Sequence, residues 1–194
     1  MKQIKAKGFT LIELVITLII LAIVGVIALP KFISFTEESH VAKLQEVKAN
    51  MQQSVDFAHQ RWLLNGHPGG MNDLEGFAHD AEGNPQLDMS AQGYPLGVNK
   101  NNPMGAPLNI GRGEQACGEL WNALLDTELT VSHKLAHKDQ VDFISRRVST
   151  SHSTGLNACV YAYTHLGFEQ DLESSALMLT YNIVTGKVEL TNRL

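Results

Sequence analysis

One segment limits this chain more than any other. From Phe9 to Leu29 it reads FTLIELVITLIILAIVGVIAL, 21 residues whose polar members are Thr10, Glu13 and Thr17. As a helix this run spans roughly 31 Å, about the hydrocarbon thickness of a bilayer. Lys2, Lys5 and Lys7 precede it, and no further cation follows before Lys31. The basic flank is expected to stay cytoplasmic, which sends the C-terminal body across the membrane. A secretory signal peptide would have a shorter apolar core and a small-residue cleavage site. Here the run is longer, and Leu29-Pro30-Lys31-Phe32 is a poor site of that kind.

Glu13 sets the segment apart from a plain anchor. A carboxylate this deep in an apolar helix costs a few kcal/mol even on lenient insertion scales, and such residues are usually functional. Its partner can be proposed from spacing. A cut between Gly8 and Phe9 would create an α-amino group four residues before Glu13. Where many such helices pack side by side, that amine can neutralise Glu13 of a neighbour. The buried pair then fixes the register of assembly.

Lys7-Gly8-Phe9-Thr10-Leu11-Ile12-Glu13 resembles the type IV prepilin signature, and the apolar run closes at Pro30, where many pilins carry a helix-kinking proline. The resemblance implies cleavage after Gly8 by a prepilin peptidase and N-methylation of Phe9. It implies an inner-membrane pool with a periplasmic body, which the pilus assembly machinery polymerises with other pilin subunits into a homo- or heteropolymeric extracellular filament. Two cysteines, a CVYAY strand, a closing YNIVTGKVEL hairpin and LPKFISF after the apolar run resemble pilins of the mannose-sensitive haemagglutinin (MSHA) type. That likeness implies adhesion to a surface or host receptor that the residues do not specify. A type II secretion pseudopilin shares the N-terminal signature and stands as the alternative. A membrane-anchored periplasmic enzyme is the alternative from another class.

Beyond the apolar run a helical pattern resumes. Val41, Leu44, Val47, Met51, Val55, Ala58 and Trp62 recur at three- and four-residue steps, and charged residues mostly occupy the other faces. Pro30 removes one backbone N–H, so a bend or local melt is expected there but not a full stop. Asn65-Gly66 and Pro68 end the helix. Residues 65–113 hold ten of the sixteen glycines and five of the six prolines, so this stretch is expected to be turn-rich, with short strands or a surface excursion. In pilins it corresponds to the variable αβ-loop. Glu114–Thr127 reads as a short helix with Cys117, Leu120, Trp121, Leu124 and Leu125 on one face. Val141–Val148, Cys159–Phe168 and Ala176–Val184 read as strands, and Thr185-Gly186 turns the last into a hairpin partner over Lys187–Thr191. The expected fold is α+β, with a long N-terminal helix packed on a C-terminal antiparallel sheet, as in type IV pilins. Four segments follow: a leader over 1–8, a transmembrane and filament-core helix over 9–29, its amphipathic continuation over 30–64, and a head over 65–194. The head divides into the αβ-loop at 65–113 and a disulfide-closed β region at 117–194.

Cys117 and Cys159 lie outside the cytoplasm on this topology, where an oxidised pair is the default. The bridge would close a loop of about 43 residues and stabilise by roughly 4 kcal/mol on the chain-entropy model. Zinc is disfavoured because no C-x-x-C occurs. His133 and His137 are four apart, but no third ligand is evident, and they read as exposed histidines. Asp80-Ala81-Glu82-Gly83-Asn84 lacks the twelve-residue calcium-loop layout and reads as a hairpin turn. Ser151, His152 and Ser153 have no nucleophile elbow around them. No cofactor, metal or catalytic residue is implied. Net charge is −5, from 15 basic and 20 acidic side chains. Three of the lysines sit in the leader, so the body is more acidic still, and bulk charge disfavours nucleic acid.

Overall fold

The computed structural model describes residues 8–66, 69–100, 108–151 and 155–194; within its first helix the side chains of 28–34 are not described. The leader lysines, Pro68, residues 101–107 of the turn-rich stretch, and His152 with Ser153 lie outside the described residues, as does the ring of Pro30. The chain divides into two compact units, 1–40 and 41–194.

Helix α1 (Leu11–Leu64) is 54 residues long. Thr10 caps its start, its Oγ1 accepting the Glu13 N–H at 3.3 Å. Helical backbone runs unbroken across Pro30, as a single lost hydrogen bond in so long a helix allows. Gly66 ends it at φ +69°, the left-handed conformation that glycine adopts without a Cβ clash, and its N–H bonds the carbonyl of Leu63.

In the second unit the predicted stripe is the buried face of α1. Leu44, Val47, Met51, Val55, Ala58 and Trp62 are buried and share one core with both sheets and with a second helix. The turn-rich stretch after α1 is more ordered than a loop. It forms an antiparallel three-stranded meander of β1 (Met71–His79), β2 (Pro85–Met89) and β3 (Pro95–Val98). Gly93, in the β2–β3 turn at φ +78°, lies against α1, and a Cβ there would fall 2.4 Å from the Trp62 ring. Its carbonyl takes a 2.7 Å hydrogen bond from His59 Nδ1, and His59 stacks between Trp62 and Tyr94.

Helix α2 (Ala116–Leu124) buries Ala116, Cys117, Leu120, Trp121 and Leu124. The second sheet runs in the order β4 (Val131–Ser132), β5 (Phe143–Val148), β6 (Ala158–Tyr163), β7 (Leu177–Asn182) and β8 (Lys187–Asn192). Pairing is antiparallel from β5 to β8, while the two-residue β4 runs parallel to β5, a departure from the all-antiparallel expectation. Central β6 is buried along its whole length. Cys159, Tyr161 and Tyr163 join the main core. Val160 and Ala162 point the other way, into a smaller cluster with Ile144, Leu172 and Met178.

Candidate assembly segment and the disulfide-tied body

The N-terminal unit presents its functional candidates at the helix start. A Cβ on Gly8 would meet nothing within 4 Å, so no packing inside the chain requires a glycine there. Phe9 is 82% exposed. Glu13 sits in the first turn of α1, where its charge suits the positive end of the helix dipole. Thr10 Oγ1 also reaches Glu13 Oε2 at 3.5 Å, so the two residues form the nearer half of a capping box. The sequence reading missed this second role of Glu13, although the Thr10-x-x-Glu13 spacing carries the signal. Thr17 returns its hydroxyl to the carbonyls of Glu13 and Leu14, which leaves no polar side chain to interrupt the apolar surface that follows. Among the described residues no cation lies within ion-pair distance of Glu13.

Leu11, Ile12, Leu14, Leu18, Ile19, Ile20, Leu21, Ile23, Val24 and Val26 are all exposed, so this helix is apolar on every side. An apolar patch this extensive marks a membrane or protein contact. Among the described residues no helix is long and apolar enough to cross a membrane. The span expected over 9–29 is therefore not shown as one, and its last residues fall where side chains are not described.

In the second unit Cys117 of α2 and Cys159 of β6 form a disulfide with Cα atoms 5.6 Å apart, and both residues are fully buried. It ties the short helix to the centre of the sheet. Trp121, one turn along α2 from Cys117, packs on Phe143 and Tyr161 with ring centroids at 4.8 and 5.0 Å. Tyr161 donates its hydroxyl to the Cys117 carbonyl at 2.9 Å, and Tyr181 donates to the Pro95 carbonyl at 2.8 Å. Burial pushes both phenols far above their ordinary range, so each stays a neutral donor.

Gln52 clamps α1 to the edge strand of the same sheet. Its Nε2 donates to the Gly186 carbonyl at 3.0 Å, and its Oε1 accepts the Val188 N–H at 2.8 Å. No sequence pattern singles out this glutamine, because its partners lie more than 130 positions away. His137 Nδ1 pairs with Ser132 Oγ at 3.0 Å, and among the described residues no group of three metal-ligating side chains forms. Asp80 closes the β1–β2 turn by accepting the N–H groups of Glu82 and Asn84.

Comparison with known proteins finds two likenesses, the first of them at the N-terminus. The family described as the prokaryotic N-terminal methylation motif matches residues 4–29. The chain is 37% identical over 54 residues to a protein of Thermus thermophilus named type IV narrow pilus major component PilA5. That alignment covers 28% of this chain and 47% of the relative, so the chain spans about half the length of the curated relative it matches. No solved structure matches the chain with significance.

Proposed function

We propose that this chain, whose N-terminus is that of a type IV prepilin, is a structural subunit of a type IV pilus of the MSHA-like, adhesive kind. One observation carries the reading: a carboxylate four residues after Phe9 opens a helix that is apolar and exposed on every side, inside the segment that matches the methylation motif. Such a surface needs lipid before assembly and neighbouring helices afterwards. A prepilin peptidase cuts between Gly8 and Phe9, the new amine is methylated, and the body waits outside the inner membrane. A kink at Pro30 adjusts the helix as subunits pack. The role is structural, not enzymatic, and the partners are the peptidase, the assembly machinery and other pilin subunits.

In this reading Glu13 sets the axial register. It pairs with the Phe9 amine of a neighbour in a low-dielectric core, and every other register leaves one charge buried alone, at roughly 3–5 kcal/mol. Substitution Glu13→Val is expected to insert and be cleaved normally, because an apolar residue only eases insertion. Filaments counted by electron microscopy then fall to near none when this chain is the sole pilin. Normal numbers and lengths of Glu13→Val filaments would refute the charge-pair mechanism.

A further inference from the structure

The side of α1 that turns away from the core is unlike the outer face of an ordinary soluble helix. Glu46, Ala49, Gln53, Phe57, Gln60 and Leu64 recur at three- and four-residue steps, and all six are exposed. An outward face normally carries mixed charge, yet Glu46 is the one ionisable residue among them. Among the described residues, the large apolar side chains exposed in the second unit are Phe57, Leu63, Leu64 and Leu194, so three of the four lie at this end of α1. Phe57 is 54% exposed and Leu64 86%. The Phe57 ring meets that of half-buried Phe77 in β1 at 5.9 Å, which widens the apolar patch beyond the helix. A groove of about 870 Å³ runs over the same face, lined by α1 alone between Gln45 and Gln60.

Charge and length say what covers this stripe. The chain carries a net charge of −5, so identical copies repel, and a contact between copies costs least on a face that brings almost no charge. A partner recruited by charge would meet charged residues here. The other large exposed apolar surface is the N-terminal helix, which needs cover once it leaves lipid. As a helix, Glu46 to Leu64 spans about 27 Å, close to the roughly 31 Å of the apolar run. Ala49 lets a second helix approach closely at the middle of the stripe.

We propose that this stripe, centred on Gln53 and Phe57, is covered by the apolar N-terminal helix of a second copy of the chain. The two surfaces differ, so the contact is heterologous: it repeats from copy to copy, where a stripe set on its own counterpart would close a dimer. The inference rests on the filament reading and names the surface of the body that a neighbour's helix meets.

The test uses the full chain as sole pilin, with wild-type filaments as the reference. Gln53→Glu with Gln60→Glu puts two carboxylates on the stripe. Both positions are exposed, so leader cleavage and the Tm in micelles are expected to stay at wild-type values. Filaments counted by electron microscopy should fall at least about tenfold, because each carboxylate would be buried against an apolar helix. Gln53→Ala with Gln60→Ala should assemble normally. The contact itself is read from Gln60→Cys, whose thiol is the single free one because both native cysteines lie in the bridge. It should alkylate readily in micelles and at least about tenfold more slowly in filaments. A photoreactive maleimide placed there should cross-link to a peptide within 9–29 of another copy. Wild-type filament numbers from the double Glu variant, or a thiol equally reactive in both states, would overturn the inference. So would cross-links to the same stripe of another copy or to a different protein. A wild-type chain that enters no filament would overturn the filament reading and this inference with it, which tells the two failures apart.

Discussion

Removing the Cys117–Cys159 bridge gives the sharpest test of what holds the body together. The bridge spans a sequence separation of 42, and closing a loop of that length removes roughly 4 kcal/mol of unfolded-chain entropy. Both residues are fully buried, so alanines also leave small voids, and the double substitution Cys117→Ala, Cys159→Ala should cost about 4–5 kcal/mol. A domain of ordinary stability has about 5–15 kcal/mol in all. At about 2–4 °C per kcal/mol for a unit of this size, the Tm should fall by roughly 8–20 °C. Alanine is preferred to serine because two hydroxyls in this core would be buried unpaired and would inflate the loss. The assay is thermal unfolding of the full chain in micelles by circular dichroism, with and without reductant. Buried sulfurs also predict that reductant alone, without denaturant, leaves the wild-type bridge intact over hours. A double variant melting within about 3 °C of wild type, or thiols that alkylate in the native state, would refute the reasoning.

Three further outcomes follow from the same geometry. Gln52→Ala should cost about 1–3 kcal/mol and speed hydrogen exchange at the Val188 amide, because it unpairs a buried N–H on edge strand β8. Burial pushes the Asp142 carboxyl up, but hydrogen bonds from Thr130 and His165 outweigh it and hold it below its ordinary range. Its contribution is thus present above the unfolded carboxylate pKa and is lost as pH falls through the lower folded value. Acid unfolding below about pH 4 should be steeper in wild type than in Asp142→Asn. Gly8→Val should leave uncleaved precursor in the inner membrane on an immunoblot, while normal mature protein from that variant would contradict a peptidase that needs close access to the backbone.

Local signals made most elements legible. The three- and four-residue recurrence from Leu44 to Trp62 named the buried face of α1, because only one side of that helix meets a core. Strands β5 to β8 followed from runs of β-branched and aromatic residues, and the run from Cys159 marked β6, although the reading carried it to Phe168 and the strand ends at Tyr163. The order within 65–113 was less legible. Its strands are short, β1 is largely exposed, and their pairing depends on close approaches such as Gly93 on Trp62. The parallel β4 has two residues, too few for any period to register. At the N-terminus the signature was carried by adjacent residues and could be read in full. Gln52 could not be found that way, since it acts through partners on a distant hairpin.

The central claim is that the leader is removed and the helix that follows becomes a filament core. The most direct measurement is intact-mass and N-terminal peptide mass spectrometry of this chain recovered from sheared surface filaments. The account predicts a chain that begins at Phe9, carries one added methyl group on its amine, and retains the Cys117–Cys159 bridge. A surface-exposed chain that still carries Met1 to Gly8, or one cut after the apolar run near Leu29, would contradict it.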